Sequence, residues 1–177
     1  MALSAITVAN TDHFVKGGIE TLTVGEYDAT TLFDTSAADG TVANSSLVQG
    51  AGSNVVVLSF DKETANMKVS SSQEKGLMIH TVTIEGYVPN IKLTTLVALE
   101  SMRGKPLNAL VKMYSDITYL VGYDPELGSG DASAGTTTLY PLVLTGIEVD
   151  SGTALVDANG ATLTFTAVQG RLPLVTA

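Results

Sequence analysis

This sequence contains no cysteine and no tryptophan, and only 2 histidines. The missing thiols exclude disulfides, thiolate metal sites and cysteine nucleophiles. Charge is scarce as well: Asp, Glu, Lys and Arg make up 15% of the 177 residues, against about 25% in an ordinary domain. A surface so poor in charge must be covered by Ser, Thr, Gly, Asn and apolar side chains, and neighbouring copies of a chain often cover such a surface. Cations are scarcest. Nine Lys and Arg stand against 18 Asp and Glu, a net charge of −9. That balance makes a poor nucleic-acid binder, because phosphate binding needs Lys and Arg. A negative wall can still serve nucleic acid by keeping it from sticking. No stretch approaches the roughly 20 apolar residues of a membrane helix. The start, Met1-Ala2-Leu3-Ser4-Ala5-Ile6, lacks the basic and apolar regions of a signal peptide. A soluble chain made in a cytoplasm is the expectation.

The sequence does have the means to fill a core, with 45% hydrophobic residues in a length that usually means one domain. The expected domain spans residues 1–177, with a long polar loop or arm at about 28–53. So long an irregular segment is usually functional, and an arm contacting a neighbour would account for it.

Most of the rest reads as strand. Gly17–Tyr27 mixes Ile19, Leu22 and Val24 with polar residues, and Asn54–Phe60 carries a continuous apolar run expected to be buried on both faces. Ala65–Ser72 alternates loosely. In Leu77–Val88, the residues Met78, His80, Val82, Ile84 and Val88 share one face, and Thr81, Thr83, Glu85 and Tyr87 the other. The polar stretch Ser70–Gly76 reads as the connection between these two strands. Pro89 ends the pattern, since it cannot donate to a ladder.

One helix is expected over Asn90–Arg103, with Asn90 as N-cap, an apolar stripe at Leu93, Leu96, Val97 and Leu99, and Gly104 as the C′ residue. Two strands follow, Leu107–Tyr114 and Ile117–Tyr123, around a turn at Ser115-Asp116. Thr136–Val149 is a further strand. Asn159-Gly160 has the chemistry of a type I′ turn joining Ala154–Asp157 to Ala161–Val168, and Leu172–Val175 fits an edge strand. No alternation of helix and strand argues for a parallel fold. The expected class is mainly β, an antiparallel sandwich or barrel with one flanking α-helix.

Catalytic chemistry has little to work with. His80 lies on the mostly apolar face of its strand, and neither it nor His13 assembles with a carboxylate and a serine at a known spacing. Two histidines without cysteine do not make a zinc site. Asp124, Glu126 and Asp131 share one glycine-containing loop, but not with EF-hand spacing. The glycines at Gly17-Gly18 and Gly50-Ala51-Gly52 match no phosphate loop, and Asn44-Ser45-Ser46 is only formally a glycosylation acceptor. Lys62, Lys68 and Lys75 alternate with Asp61, Glu63 and Glu74, which suits an exposed hairpin touching a neighbour. The expectation is a protein that is not an enzyme, with no catalytic, cofactor-binding or metal-binding residues and no cofactor.

The order of elements in Ser59–Tyr123 is distinctive. A Phe-Asp-Lys-Glu-Thr-Ala-Asn-Met segment at 60–67 precedes a polar hairpin and the strand His80–Pro89. The helical Leu96–Gly104 follows, then Asn108–Lys112 paired with Thr118–Gly122. Together with Gly17-Gly18-Ile19 before the first strand, this resembles the tail tube-like virion proteins, or major tail proteins, of tailed bacteriophages. The resemblance implies a subunit that self-assembles into hexameric rings, with inner sheets joined into a barrel around a channel. The rings would stack into a viral tail tube for DNA ejection. Its partners would be other copies, other phage tail or neck proteins, and passing DNA without specific binding, with no membrane involved. Its place would be the virion tail. Two alternatives stay open: a head-associated structural protein, decorating the capsid or joining head to tail, and a non-enzymatic binding β-sandwich. The low aromatic content, 6%, disfavours a sugar platform.

Overall fold

The computed structural model describes residues 17–26, 55–61, 63–90, 92–122, 141–150, 159–170 and 172–176. They form nine antiparallel strands and one helix: β1 (Ile19–Glu26), β2 (Val55–Ser59), β3 (Asn66–Glu74), β4 (Leu77–Pro89), α1 (Leu93–Met102), β5 (Leu107–Met113), β6 (Thr118–Val121), β7 (Leu142–Asp150), β8 (Gly160–Gln169) and β9 (Leu174–Thr176). The chain is therefore mainly β with one helix, as its patterning predicts.

The sheet runs β2-β1-β5-β7-β8-β4-β3, with β6 on β5 and β9 on β6. It is not closed into a barrel: among the described residues β2 pairs only with β1, and β3 only with β4. One edge of β5 is divided. Residues Ala109–Lys112 pair with β6, while Leu107 alone pairs with Leu142 of β7. The sheet thus splits into β2-β1-β5-β6-β9 and β7-β8-β4-β3, hinged at one register pair. At the opposite corner the short β2–β3 connection bridges both parts. The Asp61 amide donates to Tyr87 O (3.1 Å), and the Ile19 amide donates to Ala65 O (3.3 Å).

Between the two parts lies one core. Leu22, Val24 and Leu58 meet Val82, Ile84, Leu163 and Phe165, together with Leu99 and Met102 of α1. The alternation of β4 and β8 places His80, Val82, Ile84, Gly86 and Val88 inward beside Ala161, Leu163, Phe165, Ala167 and Gln169. Gly86 admits no side chain, because a Cβ there would lie 2.6 Å from the Phe60 ring and 2.7 Å from Ala65 Cβ. The seam also carries a buried polar bridge. Gly122 donates its amide to Gln169 Oε1 (3.4 Å), and the Asn108 amide nitrogen donates to Gly122 O (2.8 Å), so buried polar groups of β5 and β8 are satisfied across it.

Several local expectations are corrected. β2 is not buried on both faces; among the described residues it is an edge strand, and Val57 is 62% exposed. Ser70–Gly76 is mostly strand rather than loop. β3 runs on to Glu74, and Lys75-Gly76 makes the turn, with φ of 48° and 86° in the type I′ manner. Asn90 is not the N-cap. It adopts the left-handed region (φ 51°), which Asn tolerates, and its amide extends the β4–β8 ladder to Asn159 O (2.8 Å). The helix starts two residues later with Lys92 as N-cap, which makes no side-chain cap bond. At the other end Gly104 takes the expected left-handed C′ conformation (φ 73°). Asn159-Gly160 is not a type I′ turn, since neither residue takes a positive φ. Gly160 opens β8, paired with both Pro89 and Asp150, and a Cβ there would strike the Tyr87 ring. The residues proposed as its first hairpin strand, and the arm at about 28–53, lie outside the described residues.

Candidate functional site

His80 is the one candidate catalytic residue within the described part, and its surroundings are structural. It is 9% exposed, and its Nδ1 lies 2.7 Å from Ser71 Oγ on the paired strand β3. His13, Asp124, Glu126, Asp131, Asn44 and Gly50–Gly52 lie outside the described residues, as does Lys62. Among the described residues no three His, Asp or Glu side chains gather to hold a metal ion. No described helix is long and apolar enough to cross a membrane.

What the fold does present is surface of three unusual kinds. The first is an overhang. β4 pairs with β8 only from His80 to Pro89, because β8 ends at Gln169. Residues Ser72 to Ile79 therefore run past the sheet as a two-stranded hairpin. Its tip is apolar on the outside: Leu77 is 70% exposed and Met78 51%. Sequence reading found the hairpin but not its projection, since the length of β8 relative to β4 leaves no local signal.

The second is a groove of about 450 Å³ between α1 and β7, lined by Leu96, Val97 and Glu100 on one side and Leu144, Ile147 and Val149 on the other. The helix causes it. Leu99 and Met102 enter the core, whereas Leu93 (76% exposed) and Val97 (61% exposed) point away from it. The expected single stripe is thus divided between two sides of α1. Val149, at the far end of β7, is 59% exposed as well.

The third is the outer face of β7-β8-β4-β3. Registers place Thr81 beside Val168, Thr83 beside Thr166, Glu85 beside Thr164 and Tyr87 beside Thr162, with Lys68 opposite Thr83 and Glu148 opposite Thr162. A β-bulge puts an extra residue, Thr145, between Leu144 and Gly146, and its hydroxyl donates to Thr164 O (3.1 Å). The result is a face rich in hydroxyls and lightly charged.

On the other part of the sheet, Lys112 Nζ meets Glu20 Oε2 at 2.7 Å, and Lys105 Nζ meets Glu26 Oε1 at 2.9 Å. The hydrogen bond to Glu20, and then its charge, raise the Lys112 pKa above the usual lysine value. Both are surface cross-links rather than a site.

These features define a class: an open-edged, antiparallel β protein with one flanking helix, whose distinctive surfaces are an edge, an overhang and an apolar groove. Compared with known proteins, the chain matches no family model, and no curated protein or solved structure is similar to it.

Proposed function

We propose that this chain is a structural protein of a tailed-phage virion. It assembles into stacked, hexameric rings that form the tail tube through which DNA leaves. The observation that carries the reading is the sheet's unfinished state. Among the described residues both terminal strands of its path, β2 and β3, have a neighbour on one side only, and a hairpin with an exposed apolar tip projects beyond the body. Monomeric proteins shield such edges, whereas assembling ones use them for pairing between copies. The scarcity of charge supports the same reading, because surface buried between copies is depleted of it.

Within this reading the threonine-rich outer face of β7-β8-β4-β3 lines the channel. Hydroxyls with a few acids, Glu85 and Glu148, give DNA a wall it does not bind. Electron microscopy of the purified protein tests the assembly, with rings or tubes on the order of 100 Å across expected for six small domains around a channel. A strictly monomeric protein at high concentration would overturn it, and binding to capsid surfaces would select the head-associated role. Replacing Glu85 and Glu148 by Lys tests the lining: tubes should form, and DNA ejection should slow. Unchanged ejection removes those residues from the channel.

A further inference from the structure

β5 is enclosed on both faces. Leu107 to Val111 are all buried, and so are Leu120 and Val121 of β6. Alternation fixes the register of a strand when one face alone is buried, because a slip by one residue then exposes the apolar set. Here a slip would carry apolar residues from one enclosed face to the other. The turn at Asp116 sets the near end of β6. Among the described residues no turn sets its far end or the entry of β7. Yet the edge of β5 changes partner within two residues: Ala109 pairs with Val121 of β6, and Leu107 with Leu142 of β7.

Asn108 is the residue between them. We propose that Asn108, Gly122 and Gln169 form a branch point, which ends the β5–β6 ladder and hands the edge of β5 to β7. It thereby fixes how the two parts of the sheet stand against each other. The buried Asn108 amide nitrogen donates to Gly122 O (2.8 Å) and Leu107 O (3.3 Å). Gly122 follows β6 in the left-handed region (φ 86°), and its own amide donates to Gln169 Oε1 (3.4 Å) at the end of β8. A Cβ at Gly122 would lie 2.8 Å from Leu107 O and 3.1 Å from Leu142 N. The glycine is thus wedged against the one pair by which β7 joins β5. A slipped register would take the Asn108 and Gln169 amides from these partners while keeping them buried. An unpaired buried amide is costly, whereas an apolar side chain that moves between two enclosed faces loses little. The three residues are positioning residues, and their role does not depend on assembly.

Asn108→Leu with Gln169→Met tests the branch point, because it replaces the polar set by apolar side chains of similar size. Phe165→Ala is the control, a loss of core packing away from it. Amide exchange followed by mass spectrometry reads the arrangement in monomer and assembly alike. In the double variant, residues 107–113, 118–122 and the start of β7 should each show two populations, exchanging at rates about tenfold or more apart. β3 and β4 from Asn66 to Glu85 should keep one. The wild type and Phe165→Ala should show one population at the branch. A single population there in the double variant, whatever its denaturation midpoint, would mean that apolar packing sets the register and would overturn the proposal. Gln169→Met alone keeps Asn108 and removes only the acceptor of the Gly122 amide, which covers a double variant that does not fold. It should show the second population at 118–122, and a single one overturns the proposal equally.

Discussion

β4 is one strand in two environments. From His80 to Glu85 it lies between β3 and β8, and every second side chain from His80 to Val88 enters the core. From Leu77 to Ile79 it has β3 on one side only, and Leu77 and Met78 stand in solvent. Residue type does not separate these two parts, since both are apolar. What separates them is the length of a strand more than seventy positions away, because β8 stops at Gln169. Burial is here a property of the neighbour. Apolar side chains stabilise the fold in one part of the strand and stand exposed in the other.

The largest effect that would break this comparison lies in the body. Phe165→Ala removes a fully buried ring opposite Ile84 and should cost about 3–5 kcal/mol in urea denaturation. The paired serine substitutions at Leu77 and Met78 should stay within about 0.5 kcal/mol. A tip variant as costly as Phe165→Ala would show that the overhang is covered within the monomer.

Next comes Gly86→Ala. The new methyl has to displace the Phe60 ring and Ala65, a strain of about 1–3 kcal/mol seen as a lower denaturation midpoint. Gly76→Ala sharpens the contrast, because nothing lies within 4 Å of a Cβ there and only the left-handed φ of 86° is strained. About 1 kcal/mol should fall on the hairpin alone. Amide exchange should quicken between Ser72 and Ile79 while protection across β4–β8 holds; loss of protection in both would mean that the hairpin and body open as one unit.

The smallest effect is Glu20→Gln on the far part of the sheet. Because Glu20 raises the Lys112 pKa, the pairing contributes fully below the ordinary lysine value of 10.5, and the contribution is lost as pH rises through the raised one. Parent and variant should differ slightly in melting temperature at neutral pH and converge well above 10.5. A gap that persists in strong alkali would assign the effect to packing.

Much of the fold was legible because period-two patterning is strong where one face is buried. The faces of β4 follow their residues nearly one by one, and Gly104 ends the helix as its chemistry requires. Local chemistry misled where a tertiary partner intervened. Asn90 had a better use as a ladder donor to Asn159 than as a cap, and Gly160 is needed for the approach of Tyr87 rather than for a turn. Asn54–Phe60 read as buried on both faces because an apolar run does not reveal that β2 has only one neighbour among the described residues. The groove was illegible for a related reason. The apolar residues of α1 look like one stripe, and only the packed structure shows which of them the core accepts.

The position of β8 has a consequence in time as well as in space. β8 is held between β7 and β4, yet it is made long after β4: Ile84 must wait for Phe165. Pairings this distant in sequence form slowly, and until β8 arrives the edge of β4 that it takes is unpaired. On a ribosome the nascent β3–β4 hairpin can exist, but the β7 wall of the groove cannot settle before its neighbour is translated. A chain built this way acquires its projecting hairpin early and its apolar groove late.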